Sequence, residues 1–104
     1  MSRSISKFAE KLFEDGRGIL SEKLDDLGVH GHDLRMRAER AYELSTRVYA
    51  LEVAGVDVSV EKEALRSSRD SLVAAAGLAV LVAIRDTVEE VARKTIITTL
   101  RFLF

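Results

Sequence analysis

The sequence predicts an all-α fold, an antiparallel helical hairpin packed on a long third helix, within a single domain spanning residues 1–104. Three observations predict it. Apolar residues recur at helical spacing over most of the chain. Proline is absent, so no helix has to lose a backbone donor. Glycines suited to ending a helix stand at two separated places, Gly28 and Gly55.

The first helix is expected at about residues 4–27. At about 100° per residue, Ile5, Phe8, Ala9, Leu12, Phe13, Gly16, Ile19, Leu20, Leu24 and Leu27 fall within an arc of about 160°. Lys7, Glu10, Lys11, Glu14, Arg17, Ser21, Glu22 and Asp25 take the opposite side, and only Lys23 intrudes. The apolar pattern runs straight through Asp15-Gly16-Arg17-Gly18, which by itself would read as a turn. Gly16 lies near the centre of the apolar face, where a missing side chain lets another helix come close. Each of the two glycines costs such a helix about 1 kcal/mol relative to alanine.

Gly28 is placed to end that helix, and Gly28–Asp33 is a short connection with Asp33 as the expected N-cap of the second helix, at about residues 33–54. Its apolar face carries Leu34, Ala38, Ala41, Tyr42, Leu44, Ser45, Val48, Tyr49 and Leu51, with Arg37 and Glu52 intruding. Gly55 closes it. Ser59, followed by Glu61 and Glu63, marks the start of the third helix, because acceptors and acidic groups favour a helix N-terminus. From there to about residue 100 the periodicity contains no strong stop. Forty residues of helix would span ~60 Å, more than two shorter helices can cover. The third helix is therefore expected either to bend near Gly77 or Arg85 or to project into a partner.

The thirteen residues from Leu72 to Ile84 are all apolar, five of them alanine and one glycine. As a helix they reach ~20 Å, short of the ~30 Å hydrocarbon core of a bilayer. Arg69 and Asp70 precede the run, and Arg85, Asp86, Glu89 and Glu90 follow it. Lengthening the span would carry charge to membrane depth, so protein rather than lipid is expected to cover it. Downstream, Asp86, Glu90, Arg93, Lys94 and Arg101 form a charged stripe; traced back along a continuous helix, the stripe meets Leu72, Ala75, Ala76, Ala79 and Ala83. Small residues at this spacing permit close backbone approach. The C-terminal Phe102, Leu103 and Phe104 also need a dock. Those eight residues are the expected oligomer interface, the partner being a second copy or another helical protein.

Sites for chemistry are sparse. With no cysteine there is no thiol nucleophile and no zinc–thiolate centre. His30 and His32 share a glycine-flanked connection, too few groups to complete a metal site. No nucleophile elbow, phosphate loop or dinucleotide fingerprint is present, so neither catalysis nor a cofactor is expected. Net charge is −1 and the charges are evenly spread, without the basic excess of a nucleic-acid binder. Residues 21–44 nonetheless resemble a helix-turn-helix, with Arg35, Arg37 and Arg40 on the second helix; that resemblance implies DNA binding. The N-terminal stretch has charges every few residues and no apolar core of a secretory signal, so a cytoplasmic location or a place in a larger particle is expected.

The expected function is therefore non-catalytic: a structural or assembly protein that self-associates through its long alanine-rich helix. The style of the sequence, short, cysteine-free and alanine-rich, suggests a virion or phage accessory component. The alternative is a small membrane-active protein, holin-like or pore-forming, with Lys7, Lys11 and Arg17 at an interface and the 72–84 segments inserted together.

Overall fold

The first two helices end where left-handed glycines allow them to. A computed structural model describes the backbone of residues 3–103 and the side chains of residues 4–95. Helix α1 spans Arg3–Asp26, α2 His32–Val53, α3 Ser59–Ala76 and α4 Leu78–Leu103. Gly28 has φ 76° and Gly55 φ 75°. At the first, Val29 N–H donates to Leu24 O (2.9 Å) and Gly28 N–H to Asp25 O (3.0 Å). At the second, Val56 donates to Leu51 O and Gly55 to Glu52 O, both at 3.0 Å. Each pair satisfies carbonyls that a helix end leaves unpaired. Val29 is buried beside Leu24, the apolar contact that accompanies such an end.

The start of α2 differs from the sequence expectation. Gly31, with extended backbone angles, is the N-cap, and Asp33 lies inside the first turn. Arg35 takes over the tethering. Its guanidinium donates to Asp25 Oδ1 (2.7 Å), to the Val29 carbonyl (2.9 Å) and to Ser21 Oγ (2.5 Å), tying the end of α1 to the start of α2.

Pairings along the two helices run in opposite directions. Ser21 meets Arg35, Arg17 meets Glu39, Phe13 stacks on Tyr42 at 5.8 Å, and Phe8 lies 6.3 Å from Tyr49. The hairpin is antiparallel along its length, unlike the 90–120° crossing of a helix-turn-helix. At its centre Tyr42 is fully buried and its hydroxyl donates to the Leu12 carbonyl (2.5 Å). Burial, helped by the nearby Asp15 carboxylate, pushes the phenol well above its usual range. Gly16 makes room for the ring, as its place on the apolar face predicts: a Cβ there would overlap the Tyr42 hydroxyl.

The long third helix predicted at 59–100 is two helices. Gly77 interrupts it with φ 92° and ψ 168°, a region essentially closed to any residue with a Cβ. Among the described residues the chain thus forms four helices with alternating directions. α3 runs antiparallel to α2, with Lys62 on Glu52 (2.8 Å) near one end and Met36, Arg37 and Arg40 beside Ser68 and Ser71 near the other. α4 runs antiparallel to α1, with Val91 beside Gly16 and Leu27 near Ala79 and Ala83.

Core residues repeat at helical spacing on α4, where Val80, Ile84, Thr87 and Val91 are buried. Val80 and Ile84 meet Leu20 and Leu24 of α1, Ala38, Ala41 and Tyr42 of α2, and Leu72 of α3. A smaller cluster at the other end joins Val48, Leu51, Val58, Ile5 and Leu65. The buried hydroxyls are satisfied on their own helices: Thr87 donates to Ala83 O (2.7 Å) and Thr46 to Glu43 O (2.7 Å). α3 is held at Leu72, with Ala76 and Leu65 packed part-buried against the two clusters. Leu72 is its one buried side chain among the described residues, against eight on α2.

At the start of α3 the carboxylate of Asp57 accepts from Ser59 N–H (3.0 Å) and from Ser59 Oγ–H (2.6 Å). These bonds lower its pKa from the ordinary 3.8. A carboxylate whose folded pKa is depressed stabilises the fold above its ordinary value, and the contribution disappears as pH falls through the lowered one. The first turn of α3 should therefore lose amide protection as acid is added below pH 3.8. In Asp57→Ala that turn should be less protected at neutral pH, and its protection should have no step in this acid range. Hydrogen exchange followed by NMR reads both.

Candidate interaction surface

Once Gly77 resets the helical phase, the inward positions of α4 are Val80, Ala83, Ile84 and Thr87. Leu78, Ala79 and Val82 are left on the outside. Leu78 is 67 % exposed and Val82 40 % exposed, high values for large apolar side chains. Leu27, 45 % exposed at the end of α1, stands beside them. The result is an apolar ridge with a depression on each side.

On one side lies a groove of about 520 Å³ between α2, α3 and α4. Val48, Leu65, Leu81 and Val88 make it apolar, and Glu52, Arg69, Arg85 and Glu89 form its rim. On the other side a hollow of about 390 Å³ lies between the end of α1 and α4, with Leu27 and Ala83 inside and Lys23, Asp26 and Asp86 around it. Val82 borders both. Near its middle Arg85 on the groove side and Asp86 on the hollow side pair with each other at 3.4 Å.

The residues expected to form one interface are separated by the Gly77 break. Leu72 is fully buried in the chain's own core, and Ala83 is buried as well. Ala76 is half-buried and packed on the core, while Ala75 and Ala79 face solvent. No continuous small-residue ridge connects these five, because α3 and α4 turn about different axes. Phe102, Leu103 and Phe104 lie outside the residues whose side chains are described. Leu78, Val82 and Leu27 were not among the expected interface residues. Restarting the helical wheel after Gly77 would have found the first two.

Other candidate groups are engaged or exposed. Arg35 is committed to the hairpin, Arg40 lies 3.6 Å from Glu43, and Arg37 is exposed. His30 is exposed in the α1–α2 connection, 3.9 Å from Asp25, and His32 is exposed at the first residue of α2. Among the described residues no three His, Cys, Asp or Glu side chains are grouped to hold a metal ion, and no helix is long and apolar enough to cross a membrane. Comparison with protein-family models, with characterised proteins and with solved structures finds no match to this chain.

Proposed function

We propose that this chain is a non-catalytic assembly protein that associates with further copies of itself through the apolar ridge at the start of α4. The observation that carries the reading is the exposure of Leu78 and Val82 between two apolar depressions. A ridge bordered by grooves is complementary to its own kind, the geometry by which helices pack. Twofold pairing with the two α4 helices parallel lays the groove of one copy against the hollow of the other, twice. Burial of these side chains stabilises association by roughly 25 cal/mol for each Å² of apolar surface removed from water.

Light scattering tests this. The wild-type chain should have a concentration-dependent mass above its 11.5 kDa monomer. Val82→Glu places an unpaired charge in the contact and should weaken association at least tenfold. Ala79→Leu, which thickens the ridge where close approach is needed, should act in the same direction. A mass of 11.5 kDa for the wild type at every concentration would overturn the reading. Flotation with liposomes distinguishes the other occupant: the protein should stay at the bottom of the gradient, and floating with lipid alone would transfer the ridge to membranes.

A further inference from the structure

We infer that the groove between α2, α3 and α4 is a binding site for a free long-chain carboxylate, with the tail along the groove and the head on Arg66 and Arg69 of α3. The site goes beyond the ridge pairing above, because one copy of the chain completes it.

Shape is the first observation. α3 and α4 part at Gly77 and both pack on α2, so the depression of about 520 Å³ between them has protein on three sides. Val48 and Ile84 are buried at its base, and Leu65, Leu81 and Val88 are half-buried on its walls. A second hollow of about 530 Å³ adjoins it, sharing Val48, Leu65, Leu81 and Arg69 and adding Lys62 and Arg66. Spaces between bundle helices, apolar with a few polar groups at the edge, are common small-ligand sites. Leu78 and Val88 lie ~15 Å apart along α4, the reach of an extended chain of about twelve carbons.

Charge is the second. Lys62, Arg66 and Arg69 recur about a helical turn apart on the α3 wall. Lys62 is held by Glu52 at 2.8 Å, and Arg85 on α4 by Asp86 at 3.4 Å. Arg66 and Arg69 make no ion pair or hydrogen bond among the described residues. Asp70 and Glu89 line the same depressions without pairing with either. Two uncommitted guanidiniums thus stand at the edge of an apolar groove, and each offers the planar pair of N–H donors that suits a carboxylate.

The occupant follows from this division. One anionic head and one unbranched apolar tail satisfy both parts. A cationic amphiphile would set like charges together, and a neutral one would leave the guanidiniums to water. The uncommitted cations are confined to the α3 wall, while the α4 wall presents Glu89, so the groove seats a single head group rather than a run of carboxylates.

Dodecanoate is the probe, added well below its micelle concentration at about pH 8, where its carboxyl is ionised. The protein is isotope-labelled Ala79→Leu chain, at a concentration where light scattering reads 11.5 kDa. Ala79 lines the hollow and not the groove, so this background weakens the pairing without altering the site. In NMR spectra the amides around Val48, Leu65, Leu81 and Val88 should shift saturably, and decanoate should bind about fivefold more weakly.

Arg66→Ala combined with Arg69→Ala should weaken dodecanoate by about tenfold and leave dodecyltrimethylammonium, a cation with the same tail, no weaker than before. Both side chains are exposed, so the variant keeps its fold. Lysine at both positions should restore most of the affinity. Absence of saturable shifts, equal binding of the two amphiphiles, or unchanged affinity in the double-alanine variant would overturn the inference. Shifts of these amides on concentrating the wild type, with none on adding dodecanoate, would give the groove to a second copy instead. A wild type that stays monomeric at every concentration overturns the ridge pairing and leaves this result standing.

Discussion

Gly16→Val should be the most damaging single substitution in the hairpin, lowering stability by about 3–5 kcal/mol through combined overpacking and loss of a buried hydrogen bond. A Cβ at this position would lie 2.7 Å from Tyr42 Cζ and 2.9 Å from Val91 Cγ2, besides overlapping the hydroxyl. None of these neighbours is the free end of a flexible chain. The Tyr42 ring is fully buried, stacked on Phe13, and fixed by its bond to the Leu12 carbonyl. Relief requires either separating α1 from α2 or expelling the ring and leaving its polar hydroxyl without a partner. Set against a total stability of about 5–15 kcal/mol for a domain, this loss approaches unfolding.

Gly18 provides the control. It lies two residues along the same helix, exposed, and a Cβ there would meet nothing within 4 Å. Gly18→Ala should therefore stabilise the protein by about 0.5–1 kcal/mol, since glycine is the poorer helix former. Urea unfolding of both variants gives the comparison. If Gly16→Ala proved as harmless as Gly18→Ala, the close approach of Tyr42 to α1 would be wrong.

Leu72→Ala should have the second-largest effect, about 2–5 kcal/mol, from lost transfer energy and the cavity left behind. Its consequence is regional. Leu72 connects α3 to Leu20, Leu24, Tyr42 and Val80 in the main core, while Leu65 adds a partly buried contact to the smaller cluster. Amides of α3 should lose protection first and by the largest factor. Those near Tyr42, in the hairpin, should keep most of theirs, because α1 and α2 retain their mutual contacts and the Arg35 tether. Site-resolved hydrogen exchange separates these responses. Equal loss of protection over all four helices would mean that α3 is integral to a single cooperative unit.

The first half of the molecule was legible in the sequence. The expected bounds of about 4–27 and 33–54 compare with Arg3–Asp26 and His32–Val53, because an apolar arc with period 3.6 meets a glycine at each end. Gly16 was legible for the same reason: its place on the arc distinguished it from Gly18. Asp33 was misplaced because any short acceptor before an apolar run looks like a cap, whereas the backbone here turns at Gly31.

The second half was less legible because Leu72–Ile84 has no polar residue with which to set a phase. A helix apolar on every side looks the same whether continuous or broken, and one glycine inside it weighs little. The interface expectation inherited that ambiguity. Carrying the charged stripe backwards across Gly77 selected Leu72 and Ala83, which the core uses. It passed over Leu78 and Val82, which the core leaves out.

The fit of Tyr42 over Gly16 also fixes how the hairpin is indexed. Sliding α2 by one residue would set Asp15 or Arg17 under the ring, and sliding it by a helical turn would set Leu12 or Leu20 there. Only one alignment offers a notch. The pairing of the first two helices is therefore specified from within their lengths. Apart from Gly28, Val29 and Gly31, which end α1, enter the core and cap α2, the connection can accept inserted peptide without changing which side chains meet.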